Sequence, residues 1–181
     1  GAQYLFKRTG PMAMAASLGY GFLKSRPELD APDIQFHVQP FSKSRMADKE
    51  PDAFSAFTAS VLQLRPESRG ELRLASPHIE DYPAIHPNYL STRNDQDTIV
   101  AGVRVARAIA RKMPLSGLIT EEHAPGPGVS DDDYDGLLNW VRDSATTIFH
   151  PTGTCKMGSD VGAVVDERLR VHGLQGLRVV D

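Results

Sequence analysis

The residues best suited to chemistry lie near the C-terminus, where His150 is followed by Pro151, Thr152, Gly153 and Thr154. Proline cannot extend a sheet ladder and glycine permits a tight turn, so we expect the backbone to bend beside the imidazole. An unperturbed imidazole titrates near pH 6.5, at about the pH where a proton acceptor and donor is needed. The pattern alone leaves two interpretations open: a general acid–base residue and a structural, hydrogen-bonded histidine.

Alternating apolar and polar residues predict the strands that would position this histidine. The clearest run is 33–40, where Ile, Phe and Val alternate with Gln and His. A second run, 57–64, is rich in strand-forming residues, and a third, 71–74, follows the turn signal at 68–70. These runs predict an antiparallel hairpin or meander, whereas the residues up to about Pro27 predict a loop with a short helix.

Two helices are predicted after these strands. Apolar residues recur at helical spacing from about Asn94 to Met113, and Pro114 should stop that helix. A second helix is predicted to begin at Ser130 as N-cap, with Asp133 three residues later as in a capping box.

The C-terminal part returns to strand-like residues. The run 146–149 predicts a strand leading into the histidine loop, and short apolar segments follow at 163–165, 169–171 and 177–180. Strands, then helices, then strands predict an α+β fold with helices flanking a mainly antiparallel sheet.

Composition excludes several classes of protein. The formal net charge of −3, with scattered Lys and Arg, argues against nucleic-acid or membrane-surface binding. No apolar run is long enough for a membrane span, and the start shows no leader-like pattern. Cys155 is the only cysteine, which is consistent with a reducing, cytoplasmic location, and no His or Cys spacing indicates a metal site.

A longer stretch resembles a known family. It comprises Thr147-Ile-Phe-His-Pro-Thr-Gly-Thr-Cys-Lys-Met-Gly158, then 163–166, 169–173 and 176–181. In residue type and order it resembles the C-terminal region of glucose–methanol–choline (GMC) flavin oxidoreductases, most closely the choline-dehydrogenase-like alcohol dehydrogenases. Weaker similarity extends upstream, at 32–37, 68–74 and 87–90.

The resemblance implies a fragment of a two-domain flavoenzyme. Residues 1–145 would be the GMC substrate-binding domain, and 146–181 the histidine loop with the start of the return to the FAD domain. That domain is absent, since the chain has no G-x-G-x-x-G turn. Val180 and Asp181 match a segment near the flavin. We therefore expect the fragment alone to be inactive and to bind FAD weakly or not at all.

The resemblance also implies individual roles. His150 would be the acid–base residue for hydride transfer to FAD from a primary alcohol, with choline-like alcohols among the candidates. Ile148, two residues earlier in the predicted strand, would line the pocket or pack in the core. His37 and, with weaker support, Gln35 would contact substrate, or lie on a partly exposed strand face without a role.

Alternatives from other classes remain at this stage. The chain could be a non-catalytic small-molecule or protein-interaction domain that retains the GMC fold. A hydrolase using His150 as base is less favoured, because no G-x-S-x-G nucleophile elbow is present. The surface that would meet the FAD domain could also support a homodimer.

Overall fold

The chain forms two compact units, the first from 1–68 and 90–145 and the second from 69–89 and 146–181. The computed structural model describes residues 2–10, 13–15, 17–43 and 50–180.

The first unit contains a three-stranded antiparallel sheet. Its strands β1 (Gly19–Leu23), β2 (Ile34–Gln39) and β3 (Thr58–Gln63) lie in the order β1-β2-β3. Ile34 and Phe36 of β2 are buried, while the polar residues between them are only partly covered. The strand predicted from alternation at 33–40 and the strand predicted from strand-forming residues at 57–64 are thus confirmed.

Strand β1 corrects the loop predicted up to about Pro27. The short helix of that prediction is found as α1 (Ala2–Lys7), and described residues before Gly19 are irregular, but 19–23 is a strand. Gly19 and Gly21 lower the strand propensity of this segment, so its residues do not identify it as a strand by composition. Pairing with β2 supplies the hydrogen bonds that make it one.

A second correction concerns β4 (Glu71–Arg73), which does not pair with β3. It pairs with β5 (Ala84–His86) in a separate two-stranded antiparallel sheet of the second unit. Gly70 makes this pairing feasible, because a Cβ at that position would collide with the carbonyl oxygen of His86.

Helix α2 (Arg93–Ala110) confirms the first predicted helix and ends slightly before Met113. The hydroxyl of Thr92 caps its start by accepting a hydrogen bond from the backbone N–H of Asp95, at 3.2 Å. A short 3-10 turn, Leu115–Gly117, follows.

Helix α3 (Tyr134–Ser144) begins later than predicted. Its N-cap is Asp133, whose carboxylate accepts a hydrogen bond from Gly136 N–H at 2.8 Å. Ser130 instead accepts from Asp132 N–H at 3.3 Å. An aspartate is as good an N-cap as a serine, and here the residue predicted as the third helical position takes that role.

The core of the first unit lies where the two helices meet. Gly102 of α2 allows close approach to the sheet, since a Cβ there would overlap Val61 of β3. Trp140 packs partly buried against the core, as its position on the second predicted helix suggested. The buried cluster consists of Val100, Val103, Leu137, Leu138 and Val141.

Asp95 ties helix α2 to the segment after β3. Its carboxylate is 1% exposed and accepts hydrogen bonds from Gln63 Nε2 at 2.8 Å, Glu67 N–H at 2.9 Å and Ser68 N–H at 2.8 Å. The Ser68 hydroxyl also donates to it. Burial alone would raise the pKa of Asp95, but these hydrogen bonds outweigh it and lower the pKa to about 2.

Arg107 is the buried cation of the first unit. Its guanidinium binds both oxygens of Glu122, at 2.8 and 2.9 Å, Oδ1 of Asp131 at 2.8 Å and the carbonyl of Gly126 at 3.2 Å. Exposed Arg111 pairs with the other oxygen of Asp131. These bonds attach the linker between the helices to α2.

The second unit relies on turns more than on regular strands. Its three predicted apolar segments form only isolated bridges, around buried Val165. Asp166 organises the next turn by accepting hydrogen bonds from Arg168 N–H and from the backbone and side chain of Arg170, and Arg170 lowers its pKa to about 2. The bridged pairs are Met157 with Val165, Val165 with Val171, and Arg170 with Arg178.

The α+β class is confirmed, with helices beside antiparallel strands. None of the helices in the described part of the chain combines the length and apolarity needed to cross a membrane.

Candidate active site

His150 lies in an irregular turn and not at the end of a strand. The strand predicted for 146–149 is absent, and Phe149 instead adopts φ of 63°. Its N–H donates to the hydroxyl of Thr147 at 3.0 Å. Gly153 closes the loop with φ of 80°. Ile148 and His150 therefore do not share a strand face as predicted, although they lie two residues apart in sequence.

The backbone at Phe149 is strained. A left-handed conformation costs about 1–2 kcal/mol for a residue with a Cβ, and neither Gly nor Asn is present here to avoid that cost. Phe149 is also 72% exposed, and Ile148 is 46% exposed. Strain of this kind occurs at functional sites, although Leu90 and Leu169 have a positive φ as well, and the Phe149 ring is largely exposed.

The imidazole of His150 is exposed, and no described residue hydrogen-bonds to it. Another histidine of the same unit differs: Nε2 of His172 lies 2.9 Å from the carbonyl oxygen of Gly158, an arrangement that fixes the ring. The contrast favours a structural role for His172 and leaves both ring nitrogens of His150 accessible.

Gln35 and His37 form a polar pair on β2, in the first unit. Their Nε2 atoms lie 2.8 Å apart. An amide nitrogen donates, so in this pair Nε2 of His37 is the acceptor. The structure thus brings together two of the residues predicted to contact substrate.

Two aromatic residues that the sequence interpretation missed lie opposite this pair. Tyr20 of β1 is paired with His37, and Phe22 with Gln35. Directly opposed residues of antiparallel strands project to the same face. We call these four side chains the aromatic–polar face. The alternation of Tyr20 and Phe22 with glycine was the signal that could have identified it.

Comparison with known families decides the identity. The C-terminal model of the GMC oxidoreductase family matches residues 66–181, which is more than half of the chain. The chain belongs to the GMC oxidoreductase family. The resemblance drawn from the histidine loop is thereby confirmed.

Relatives within the GMC family are similar over the whole chain. The alcohol dehydrogenase (acceptor) of Pseudomonas putida is 40% identical over 178 residues, covering 98% of this chain and 32% of that protein. The oxygen-dependent choline dehydrogenase of Pseudomonas fluorescens strain SBW25 is 40% identical over 181 residues, covering 100% and 31%. The chain therefore spans about a third of the length of these relatives.

A solved structure supports the GMC fold. The crystal structure of pyridoxine 4-oxidase from Mesorbium loti superposes with a TM-score of 0.79 at 28% identity, covering 92% of this chain and 32% of that one. Together with the family match, this confirms the predicted fold class.

The residues predicted to approach the flavin of a GMC enzyme lie at the end of the second unit. Val180 is 77% exposed, and Asp181 lies outside the described residues. The preceding backbone is anchored, since Val179 N–H donates to the carbonyl of Leu169 at 3.0 Å. Both cofactor contacts stay predictions, as does the assignment of 1–145 and 146–181 to separate roles.

Cys155 is a partly buried free thiol. Across the described residues, no three His, Cys, Asp or Glu side chains come close enough to hold a metal ion.

Proposed function

We propose that the protein is an FAD-dependent alcohol oxidoreductase that oxidises a primary alcohol, with His150 as its acid–base residue. Membership of the GMC family supports the reaction class, and the observation that carries the role of His150 is its exposed, unpaired imidazole beside a strained Phe149. When bound, the flavin supplies the acceptor for a hydride.

His150 would handle the proton. An imidazole nitrogen accepts the proton of the substrate hydroxyl as the O–H bond breaks. The carbinol hydrogen leaves with the two electrons of its C–H bond as a hydride, and the C–O bond becomes a carbonyl. The alcohol is oxidised by two electrons, and the imidazolium retains the proton. A positioned base of this kind typically contributes about 10²–10⁴-fold to the rate.

The residues present fit the edge of a flavin and not the whole cofactor. Exposed apolar side chains at Ile148, Phe149 and Val180 are suited to contact with an apolar ring system. The chain has no glycine-rich turn for a pyrophosphate. We therefore propose that residues 1–181 alone are inactive and bind FAD weakly or not at all, and that the exposed apolar surface meets the rest of the protein.

Substrate contacts are assigned to Gln35 and His37, with Ile148 as a further candidate for the pocket wall. The similarity to alcohol and choline dehydrogenases supports a primary alcohol as substrate class. The paired amide and imidazole would supply polar groups for orientation.

The test is anaerobic reduction of the flavin in the full-length protein by a panel of primary alcohols. His150→Gln should slow reduction by about 10²–10⁴-fold while the flavin remains bound. His172→Gln is the matched control, because that imidazole is already engaged by Gly158, and its rate should stay near wild type. Reduction of the His150→Gln flavin within a few-fold of the wild-type rate would remove His150 from the mechanism.

A protein that contains no flavin would contradict the whole proposal. It would leave the non-catalytic interaction domain as the better interpretation.

A further inference from the structure

The turn that carries His150 is shaped on both sides by local interactions. Upstream, the backbone N–H of Phe149 donates to the hydroxyl of Thr147 at 3.0 Å. A threonine hydroxyl that accepts from the amide two residues later forms a small turn of its own, in competition with regular strand structure. Downstream, Pro151 restricts the residue before it, which is His150, to extended conformations. The imidazole therefore projects from a backbone whose direction these neighbours set.

The hydroxyl of Thr147 offsets part of the cost of an unfavourable backbone. Phe149 has φ of 63°, a conformation that residues with a Cβ rarely adopt. Leu169 of the same unit has φ of 62°, but its N–H donates to the backbone carbonyl of Asp166 at 2.9 Å. At Phe149 the acceptor is a side chain, so a single substitution can remove the bond and keep the main chain unchanged in composition.

A change at Phe149 is transmitted directly to the imidazole. Rotation of the backbone at Phe149 reorients the Cα–Cβ bond of His150, which is the next residue. No described residue hydrogen-bonds to the exposed imidazole, so the ring depends on its backbone for direction. A misplacement of about 1 Å at a reacting group can cost about 10²-fold in rate.

We propose that Thr147 is a positioning residue for the acid–base step. Its hydroxyl holds Phe149 at positive φ and so directs the imidazole of His150 towards the hydroxyl of the alcohol. This inference rests on the proposed function and adds a residue to it. In this role Thr147 acts through His150 and touches neither the alcohol nor the flavin.

The kinetic test measures the limiting rate of flavin reduction in the flavin-loaded full-length protein, with the primary alcohol that reduces the wild type fastest. Thr147→Val keeps the branched shape and removes the hydroxyl. It should lower the limiting rate by about 2- to 10-fold, which corresponds to one typical hydrogen bond, and leave the dissociation constant of the alcohol unchanged. Thr147→Ser keeps a hydroxyl and should retain the wild-type rate. Thr146→Val is the matched control and should change nothing, because none of the described residues hydrogen-bonds to that exposed side chain.

A double-mutant cycle distinguishes positioning of His150 from general support of the fold. His150→Gln leaves no imidazole to direct, so adding Thr147→Val to it should change the limiting rate by less than about 2-fold. If Thr147 only stabilised the unit, its substitution would give the same fold-loss with and without His150.

Hydrogen exchange of the Phe149 amide separates this inference from the proposed function, because it needs no turnover. Thr147→Val should speed the exchange of that amide by about 2- to 10-fold, since its acceptor is gone. Thr147→Ser and Thr146→Val should leave the exchange rate unchanged.

Three outcomes would overturn the inference: a wild-type rate in Thr147→Val while His150→Gln is slow, equal fold-losses with and without His150, or unchanged exchange at Phe149. Faster exchange in Thr147→Val, together with a wild-type rate in His150→Gln, would support the turn and reject the proposed role of His150 alone.

Discussion

Asp95 should dominate the acid sensitivity of the first unit. Its carboxylate is buried and accepts hydrogen bonds from Gln63, Glu67 and Ser68, so the folded state favours the ionised form. Burial opposes ionisation, yet the hydrogen bonds prevail and lower the pKa from 3.8 to about 2. Each pKa unit is worth about 1.4 kcal/mol, which gives about 2 kcal/mol of stability linked to this group.

Because the pKa of Asp95 is lower in the folded state, the group stabilises the fold at neutral pH and loses this effect in acid. The folded state holds this proton less tightly than the unfolded state, so the stabilisation is complete above about pH 5 and is lost as the pH falls through 2. Asp95→Asn removes the ionisable group and places an amide nitrogen against backbone donors. Leaving buried donors unpaired costs about 1–3 kcal/mol, so we expect a loss of about 2–4 kcal/mol at pH 7.

The assay is urea unfolding between pH 2 and 7, followed by fluorescence of Trp140, the only tryptophan of the chain. The difference in free energy of unfolding between wild type and Asp95→Asn should shrink by about 2 kcal/mol as the pH falls from 5 to 2. Exposed Asp143→Asn should stay within about 0.5 kcal/mol of wild type throughout. A difference that does not vary with pH would refute the reasoning.

Two further substitutions probe the contacts that hold α2. Arg107→Met should lower the free energy of unfolding in urea by about 3–5 kcal/mol, because it leaves two carboxylates without their buried partner. Exposed Arg111→Met is the control and should cost less than about 1 kcal/mol. Equal losses in the two variants would contradict the buried role of Arg107. Gly102→Ala should cost about 1–3 kcal/mol in the same assay, because the new Cβ overlaps Val61, even though alanine has a better helix propensity than glycine. A stabilised variant would show that helix α2 can shift away from the sheet.

The elements that sequence predicted well are those with strong periodicity and a buried face. Strand β2 alternates apolar and polar residues because its Ile34 and Phe36 face the core. Helices α2 and α3 repeat apolar residues at helical spacing because Val103 and Leu137 meet in one cluster. In these elements local pattern and tertiary burial indicate the same structure.

The elements that sequence predicted badly depend on a partner segment. Strand β1 is stabilised by its hydrogen-bonded pairing with β2, and its glycines lower the strand propensity from which it could have been predicted. Strand β4 alternates well, but alternation does not specify the neighbour, and the close contact at Gly70 selects β5. At 146–149, strand-forming residues adopt a turn, since they lack a pairing strand in the described residues and the hydroxyl of Thr147 binds the backbone.

The candidate site also contains residues that the sequence predicted and features that it did not. The acid–base role proposed for His150 came from the family resemblance, whereas the strained Phe149 beside it could not be predicted, since no residue there favours a positive φ. His37 was predicted as a substrate contact from similarity and from its polar strand face, and the register of β1 places Tyr20 opposite it.

The two units differ in how many apolar side chains they bury, and this difference affects how firmly the loop of His150 is positioned. The first unit has a cluster of buried apolar side chains around Val100 and Leu137, whereas in the described part of the second unit Val165 is the only buried hydrophobic residue. A strained conformation persists only where its surroundings over-determine it. Since the second unit alone packs little against Phe149, we infer that the geometry of His150 depends on contacts with the rest of the full-length protein. This dependence is a physical reason to expect an inactive isolated chain, beyond the absence of a cofactor-binding turn.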